Sequence, residues 1–198
     1  MLAVSGPKTH WWSEHLEKDP AIIYILDQDL RIIYCNETWD RFAEENGGGN
    51  LLRPRALGLS VIDLTPSPLK EFFEKAYREA LSTGQVWQHR YDCSSPELFR
   101  QYHMRVYPNQ ETAQLVVVHS LVVEAPHSEK KRETHTPDKE IYAGQDGIVT
   151  ICCECRRTCR AGQASVWDWV PAYIERPPER ISHGICDVCL NMSCLNRL

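Results

Sequence analysis

The stretch Ile22-Ile23-Tyr24-Ile25-Leu26-Asp27-Gln28-Asp29-Leu30-Arg31-Ile32-Ile33-Tyr34-Cys35-Asn36 decides how the first two thirds of the chain are read. Two β-prone runs, Ile22–Leu26 and Arg31–Cys35, flank a polar Asp-Gln-Asp segment, which is the pattern of a hairpin. Asn36 is a suitable N-cap for the helical spacing of Trp39, Phe42 and Ala43, and Gly47-Gly48-Gly49 breaks that helix. After a connecting stretch containing Leu59–Leu64, Thr65-Pro66-Ser67-Pro68 opens a longer helix to about Thr83. Its apolar face is Leu69, Phe72, Phe73, Ala76, Tyr77 and Ala80, and Gly84 ends it. Three strands then follow, at Val86–Cys93, Leu98–Tyr107 and Leu115–Val123. Trp87, His89, Tyr91 and Cys93 alternate onto one face of the first, and Tyr102, Met104 and Val106 onto one face of the second.

Near the C-terminus the chain changes character. Cys152 and Cys155, then Cys186 and Cys189, form a C-x2-C…C-x2-C pattern that supplies the four thiolates tetrahedral zinc prefers. A segment this short buries little apolar surface and needs a staple. Four sulfurs close the coordination shell, so the expected role is structural. Cys153, Cys159, His183 and Cys194 lie close enough in sequence to substitute for one of the four, and an iron–sulfur cluster also accepts four cysteines. The two-plus-two spacing favours zinc.

The order of two strands, short helices, one long helix and three strands resembles a PAS domain. Asp27, Ile32 and Asn36 match its hairpin pattern, and Tyr91–Pro96, Phe99–Val106 and Val118-His119-Ser120 resemble the last strands of one bacterial group. The resemblance covers residues 16–123. Residues 148–190 resemble a second family. Ile151–Arg157, Trp167–Ile174 and Ile181–Cys189 are similar to a small cysteine-rich module found after sensory or receiver domains of bacterial signalling proteins. Thr158-Cys159-Arg160 departs from that pattern. The expected fold class is therefore α+β: a PAS fold, with an antiparallel five-stranded sheet and flanking helices, plus a zinc-stapled C-terminal module. The expected divisions are an amphipathic N-terminal cap at 1–15, the PAS domain at 16–123, a polar linker at 124–145 and the cysteine-rich module at 146–198. In the cap, Trp11 and Trp12 serve either intramolecular packing or a homodimer contact.

The resemblance implies a core able to hold a small molecule. Its expected walls are Phe72, Tyr77, Tyr91, Tyr102 and Met104, residues that a ligand-free packed core would also use. No haem or flavin is expected, since Ser67–Thr83 holds no histidine and the chain lacks a photoreceptor Asn-Cys-Arg-Phe-Leu motif. Cys35 and Cys93 read as small apolar groups, with a redox role for Cys93 beside His89 as the alternative.

Composition narrows the function. The 198 residues carry a net charge of −5, which argues against general nucleic-acid or anionic-membrane binding. No apolar run reaches the roughly 20 residues of a membrane span. Nine cysteines and an N-terminus without a secretory signal core fit a reducing cytoplasm. A phosphate-binding Gly-Lys-Ser/Thr loop, a Gly-x-Ser-x-Gly elbow and a His-Glu-x-x-His helix are all missing, so no enzyme is expected. The expected function is a cytoplasmic sensory protein that meets a small ligand or a protein partner of a signalling pathway. The alternative is a redox sensor in which oxidised cysteines release zinc.

Overall fold

The computed structural model describes residues 12–95, 97–129 and 133–195, with side chains described between 15 and 191 except Pro68. Helix α1 (Trp12–Glu17) leads into the hairpin of β1 (Ile22–Leu26) and β2 (Ile32–Cys35). In the turn between them Asp27 Oδ1 accepts hydrogen bonds from the backbone N–H groups of Asp29 and Arg31, both at 2.9 Å. Helix α2 (Glu37–Glu45) follows, capped by Asn36. The buried Asn36 amide also ties down the hairpin. Its Oδ1 accepts from the N–H groups of Ile23 and Trp39, each at 3.1 Å, and its Nδ2 donates to the carbonyls of Leu16 (3.1 Å) and Ala21 (2.9 Å). A short α3 (Val61–Leu64) precedes the long α4 (Ser67–Thr83), which stops where Gly84 takes a left-handed φ of 72°.

Strands β3 (Trp87–Asp92), β4 (Leu98–Asn109) and β5 (Gln114–Pro126) complete an antiparallel sheet in the order β2-β1-β5-β4-β3. Its inner face and α4 enclose one core that includes Tyr24, Leu26, Ile32, Tyr77, Met104, Val106, Leu115 and Val117. Alternation along β4 placed Met104 and Val106 on the buried face, whereas every residue of β1 is buried and shows no alternation.

The segment 124–145, expected from its composition as a polar linker, contains ordered pieces. Strand β5 continues to Pro126, and His127 Nε2 lies 2.9 Å from the Ser95 carbonyl oxygen. The His127 ring packs on Trp169 with centroids 4.3 Å apart, and the His135 N–H donates to the Trp169 carbonyl at 2.9 Å. Helix α5 (Lys139–Tyr142) ends on the buried Tyr142. Exposed polar side chains hid this, since what holds such a segment is its backbone and a few anchors.

The C-terminal unit is a second sheet of β6 (Val149–Cys152), β7 (Thr158–Arg160), β8 (Gln163–Asp168) and β9 (Ile181–Gly184), ordered β8-β7-β6-β9. Helix α6 (Ala172–Glu175) sits between β8 and β9, and α7 (Asp187–Leu195) closes the chain. Its apolar core consists of Tyr142, Val149, Ile151 and Val170. Asp168 organises the polar edge: Oδ2 accepts from Arg160 Nε at 2.6 Å and from the Tyr142 hydroxyl at 2.8 Å. Among the described residues no helix is long and apolar enough to cross a membrane.

Candidate metal site and ligand cavity

The two cysteine knuckles meet because β6 and β9 pair in parallel. That register sets Cys152 opposite Gly184, so the chain leaving β9 delivers Cys186 beside the end of β6. The first knuckle turns tightly at Arg156, whose φ is 63°, and the second carries Cys189 into the first turn of α7. All four residues are buried, and their Sγ atoms lie within 4.8 Å of one another. A tetrahedral ion with metal–sulfur bonds near 2.3 Å separates its ligands by roughly 3.8 Å, so the donor set fits. Cys155 and Cys186 Sγ are 3.5 Å apart, and the Cys186 N–H donates to Cys152 Sγ at 3.4 Å. Arg157 Nη1 donates to Cys155 Sγ at 3.8 Å and sets a cation beside the thiolates. Hydrogen bonding, first from Cys155, pushes the Cys152 thiol down to about 7. The eight described cysteines carry no disulfide.

Among the described residues, the possible substitutes Cys153, Cys159 and His183 do not join this group. Cys159 is half-buried on β7 and donates to the carbonyl oxygens of Arg160 (3.5 Å), Gln163 and Ala164 (both 3.8 Å). His183 is exposed on β9. The side chain of Cys194 lies outside the described residues, as do Trp11 and the side chain of Trp12. Cys153 is buried but faces away from the cluster into a cavity, and burial pushes its thiol up to about 12.

That cavity, of about 1010 Å³, runs from between α4 and the five-stranded sheet to the cysteine unit. Of the five expected wall residues it is lined by Tyr77, Tyr91 and Met104. Phe72 and Tyr102 stand off it, and each has a physical reason. Successive residues of a helix point about 100° apart, so Phe73 faces the cavity while Phe72 packs edge-on against Trp87 and His89. Tyr102 pairs with Tyr91 across β3 and β4 and is covered by the rings of Tyr91 and Phe42.

Tyr24, Trp39 and His119 also line the cavity. His119 shares its strand face with Leu115 and Val117, so period-two counting along β5 would have found it. A hydrogen-bonded row crosses this wall: Tyr91 hydroxyl to His119 Nδ1 at 2.6 Å, His119 Nε2 to the Tyr24 hydroxyl at 3.3 Å, and Tyr24 to the Tyr77 hydroxyl at 3.3 Å. Burial, reinforced by His89, lowers His119 to about 3, so its ring is neutral at physiological pH. Burial likewise raises Tyr91 well above an ordinary phenol. Ile151, Cys153, Glu154, Arg156 and Ile174 add walls that come from the second unit, which local periodicity in the first cannot reveal. The units also touch beside the cavity. Buried His89 Nε2 lies 3.2 Å from Oε1 of buried Glu154, a residue inside the first knuckle.

The PAS_4 family profile, a PAS fold, matches residues 16–127, more than half of the chain. The chain is similar in structure to a domain of an HTR-like protein from Haloarcula marismortui, at 17% identity and a TM-score of 0.39, covering 53% of this chain and 100% of that one. It is similar to the PAS domain of nitrogen regulation protein NR(II) from Vibrio parahaemolyticus, at 17% identity and a TM-score of 0.39, covering 58% and 100%. It is also similar to the PAS domain of the Cronobacter turicensis quorum-sensing receptor RpfR in complex with C12:0, at 18% identity and a TM-score of 0.41, covering 54% and 97%. No curated protein matches the chain.

Proposed function

The chain belongs to the PAS_4 family through residues 16–127, and on that premise we propose that it is a non-enzymatic sensory protein holding a small molecule in its PAS cavity and a structural zinc between Cys152, Cys155, Cys186 and Cys189. The observation that carries this reading is the open cavity of about 1010 Å³ between α4, the five-stranded sheet and the cysteine unit, lined by aromatic side chains with polar groups among them. Zinc suits the second site because the donors are four thiolates in a closed set, and such a set leaves no position for a reacting water. The ion supplies folding energy there and no chemistry. Arg157 and the Cys186 N–H orient and neutralise the sulfurs. The output is a changed contact with a partner protein of a cytoplasmic signalling pathway, made by a monomer or a homodimer. Native mass spectrometry of the freshly purified chain tests the proposal. The expected spectrum has one zinc per chain and a retained small molecule without haem or flavin absorbance. A chain that folds fully with neither bound overturns it.

A further inference from the structure

Resting on that reading, we propose that the cavity takes a neutral, mainly apolar molecule bearing one hydrogen-bonding group, and that the cysteine unit forms part of its wall, so that guest and metal stabilise each other's binding. The inner end of the cavity is apolar, with Trp39, Leu69, Phe73 and Met104 in its lining. The polar groups set among them are the phenols and imidazole of the row Tyr91–His119–Tyr24–Tyr77. A hydroxyl offers one donor and two acceptor positions, so Tyr91 and Tyr77, at the ends of that row, retain capacity for a guest. One such group on the guest is satisfied there, and a bare charge is not, because among the described residues no Lys or Arg but Arg156 lines the cavity. His119 supplies no cation, since burial keeps it neutral.

The outer part disfavours anions more directly. Exposed Glu45, Glu97 and Glu175 line it against exposed Arg156, and buried Asp92 and Glu154 line the space further in, so a free carboxylate entering here meets mostly acidic groups. This separates a neutral guest from a fatty acid.

The wall is shared. Ile151, Cys153 and Ile174 of the second unit line the same space as Met104 and Tyr91 of the first. Glu154, between Cys153 and Cys155, meets His89, whose ring stacks on Tyr91 with centroids 6.1 Å apart and planes 5° from parallel. A contact path therefore runs from the metal knuckle to the hydroxyl that ends the polar row. If the metal fixes the knuckle and the knuckle closes the cavity, each occupant raises the other's affinity by the same factor.

The full-length zinc-loaded chain is titrated with N-phenyl-1-naphthylamine, a neutral apolar fluorophore with a single N–H. Saturable binding of one probe per chain is expected, undisturbed by dodecanoate. Val61→Trp, which fills the cavity from α3, should abolish binding with zinc retained. Tyr91→Phe should weaken it by about 3–10-fold, the worth of one hydrogen bond. Chelating the zinc should weaken it by at least ~10-fold, within the usual range of coupling between sites. Ile174→Arg, which charges the second unit's wall without touching a metal ligand, should also weaken the probe while metal content stays at one. Probe binding that ignores both chelation and Ile174→Arg overturns the shared wall and leaves the sensory reading standing. Displacement of the probe by equimolar dodecanoate overturns the guest class alone, as does failure of the probe on protein that retains a small molecule in native mass spectrometry. Failure of the probe on protein that retains nothing overturns the sensory reading with it.

Discussion

The five-stranded sheet and the four-stranded sheet solve the same problem with different materials. The first buries thirteen residues in one core that runs from Tyr24 to Val117, fed by strands at both ends of the domain and by α4. The second buries Tyr142, Val149, Ile151 and Val170, and beside them four sulfurs. With Trp169 as the one other large side chain fully buried there among the described residues, so small a core leaves the unit in need of a staple. The difference teaches that one unit is stabilised by packing and the other, on the proposed reading, by a bond to metal, so that their responses to the same insult should diverge.

Metal loss should separate the two units most widely. Structural zinc contributes an apparent ~10–16 kcal/mol to small cysteine-rich folds. Cys186→Ser removes one of the four proposed ligands while keeping the backbone N–H that donates to Cys152 Sγ, so the effect reads the lost thiolate alone. Residues 148–190 are expected to become protease-sensitive while residues 16–127 stay folded and resistant, as limited proteolysis with mass mapping would show. Full zinc occupancy in this variant would remove Cys186 from the ligand set.

A packing-built unit should fail instead at its polar anchors. Asn36→Ala deletes an N-cap, at about 1 kcal/mol, strands the buried Ile23 N–H, at about 1–3 kcal/mol, and frees the part-buried Ala21 carbonyl. The expected loss is about 3 kcal/mol in the urea transition of the first unit, with zinc content unchanged. A loss below about 0.5 kcal/mol, the level of ordinary surface substitutions, would show that the hairpin and α2 do not depend on this amide.

The same contrast explains what was legible. Asn36, the hairpin, α4 and the three later strands were readable because they obey local rules of capping and alternation, and their ends moved by only a few residues. The four metal-site cysteines were readable because the spacing of each knuckle is local too. The parallel pairing of β6 with β9 was not, since it joins Val149 to Ile181 across β7, β8 and α6 and leaves no periodic trace. The cavity was half legible. Tyr77, Tyr91 and Met104 follow from face counting, whereas Phe42 and Tyr91 cover Tyr102 and a 100° step displaces Phe72. Glu154 and Ile174 reach it only through tertiary docking.

Acid should distinguish the units in a further way. His119 stays neutral down to about pH 3 in the folded chain but titrates near 6.5 when exposed. Between those values the unfolded state binds the extra proton, so stability falls as pH drops, by up to about 1.4 kcal/mol per pH unit. Above pH 6.5 the residue adds no pH dependence. Urea titrations of the first unit from pH 7 to pH 5 should show this slope, and His119→Gln should flatten it. An unchanged slope in the variant would mean that another buried group sets the acid limit.

The smallest expected effect bears on whether the two units act together at all. His89 Nε2 and Glu154 Oε1 meet at 3.2 Å with both residues buried, one on β3 and the other inside the metal knuckle. Such a bond is worth about 1 kcal/mol net, and residues in direct contact couple by about 0.5–3 kcal/mol in double-mutant cycles. His89→Ala, Glu154→Ala and the double variant, each zinc-loaded, form that cycle, read out as the stability of the second unit against the folded first. Coupling near 1 kcal/mol is expected, because removing either partner already forfeits the bond and removing the second costs little more. Additive losses would mean that the units only lie side by side, and a metal-built unit beside a packing-built one would then have no direct means of sensing its neighbour through this contact.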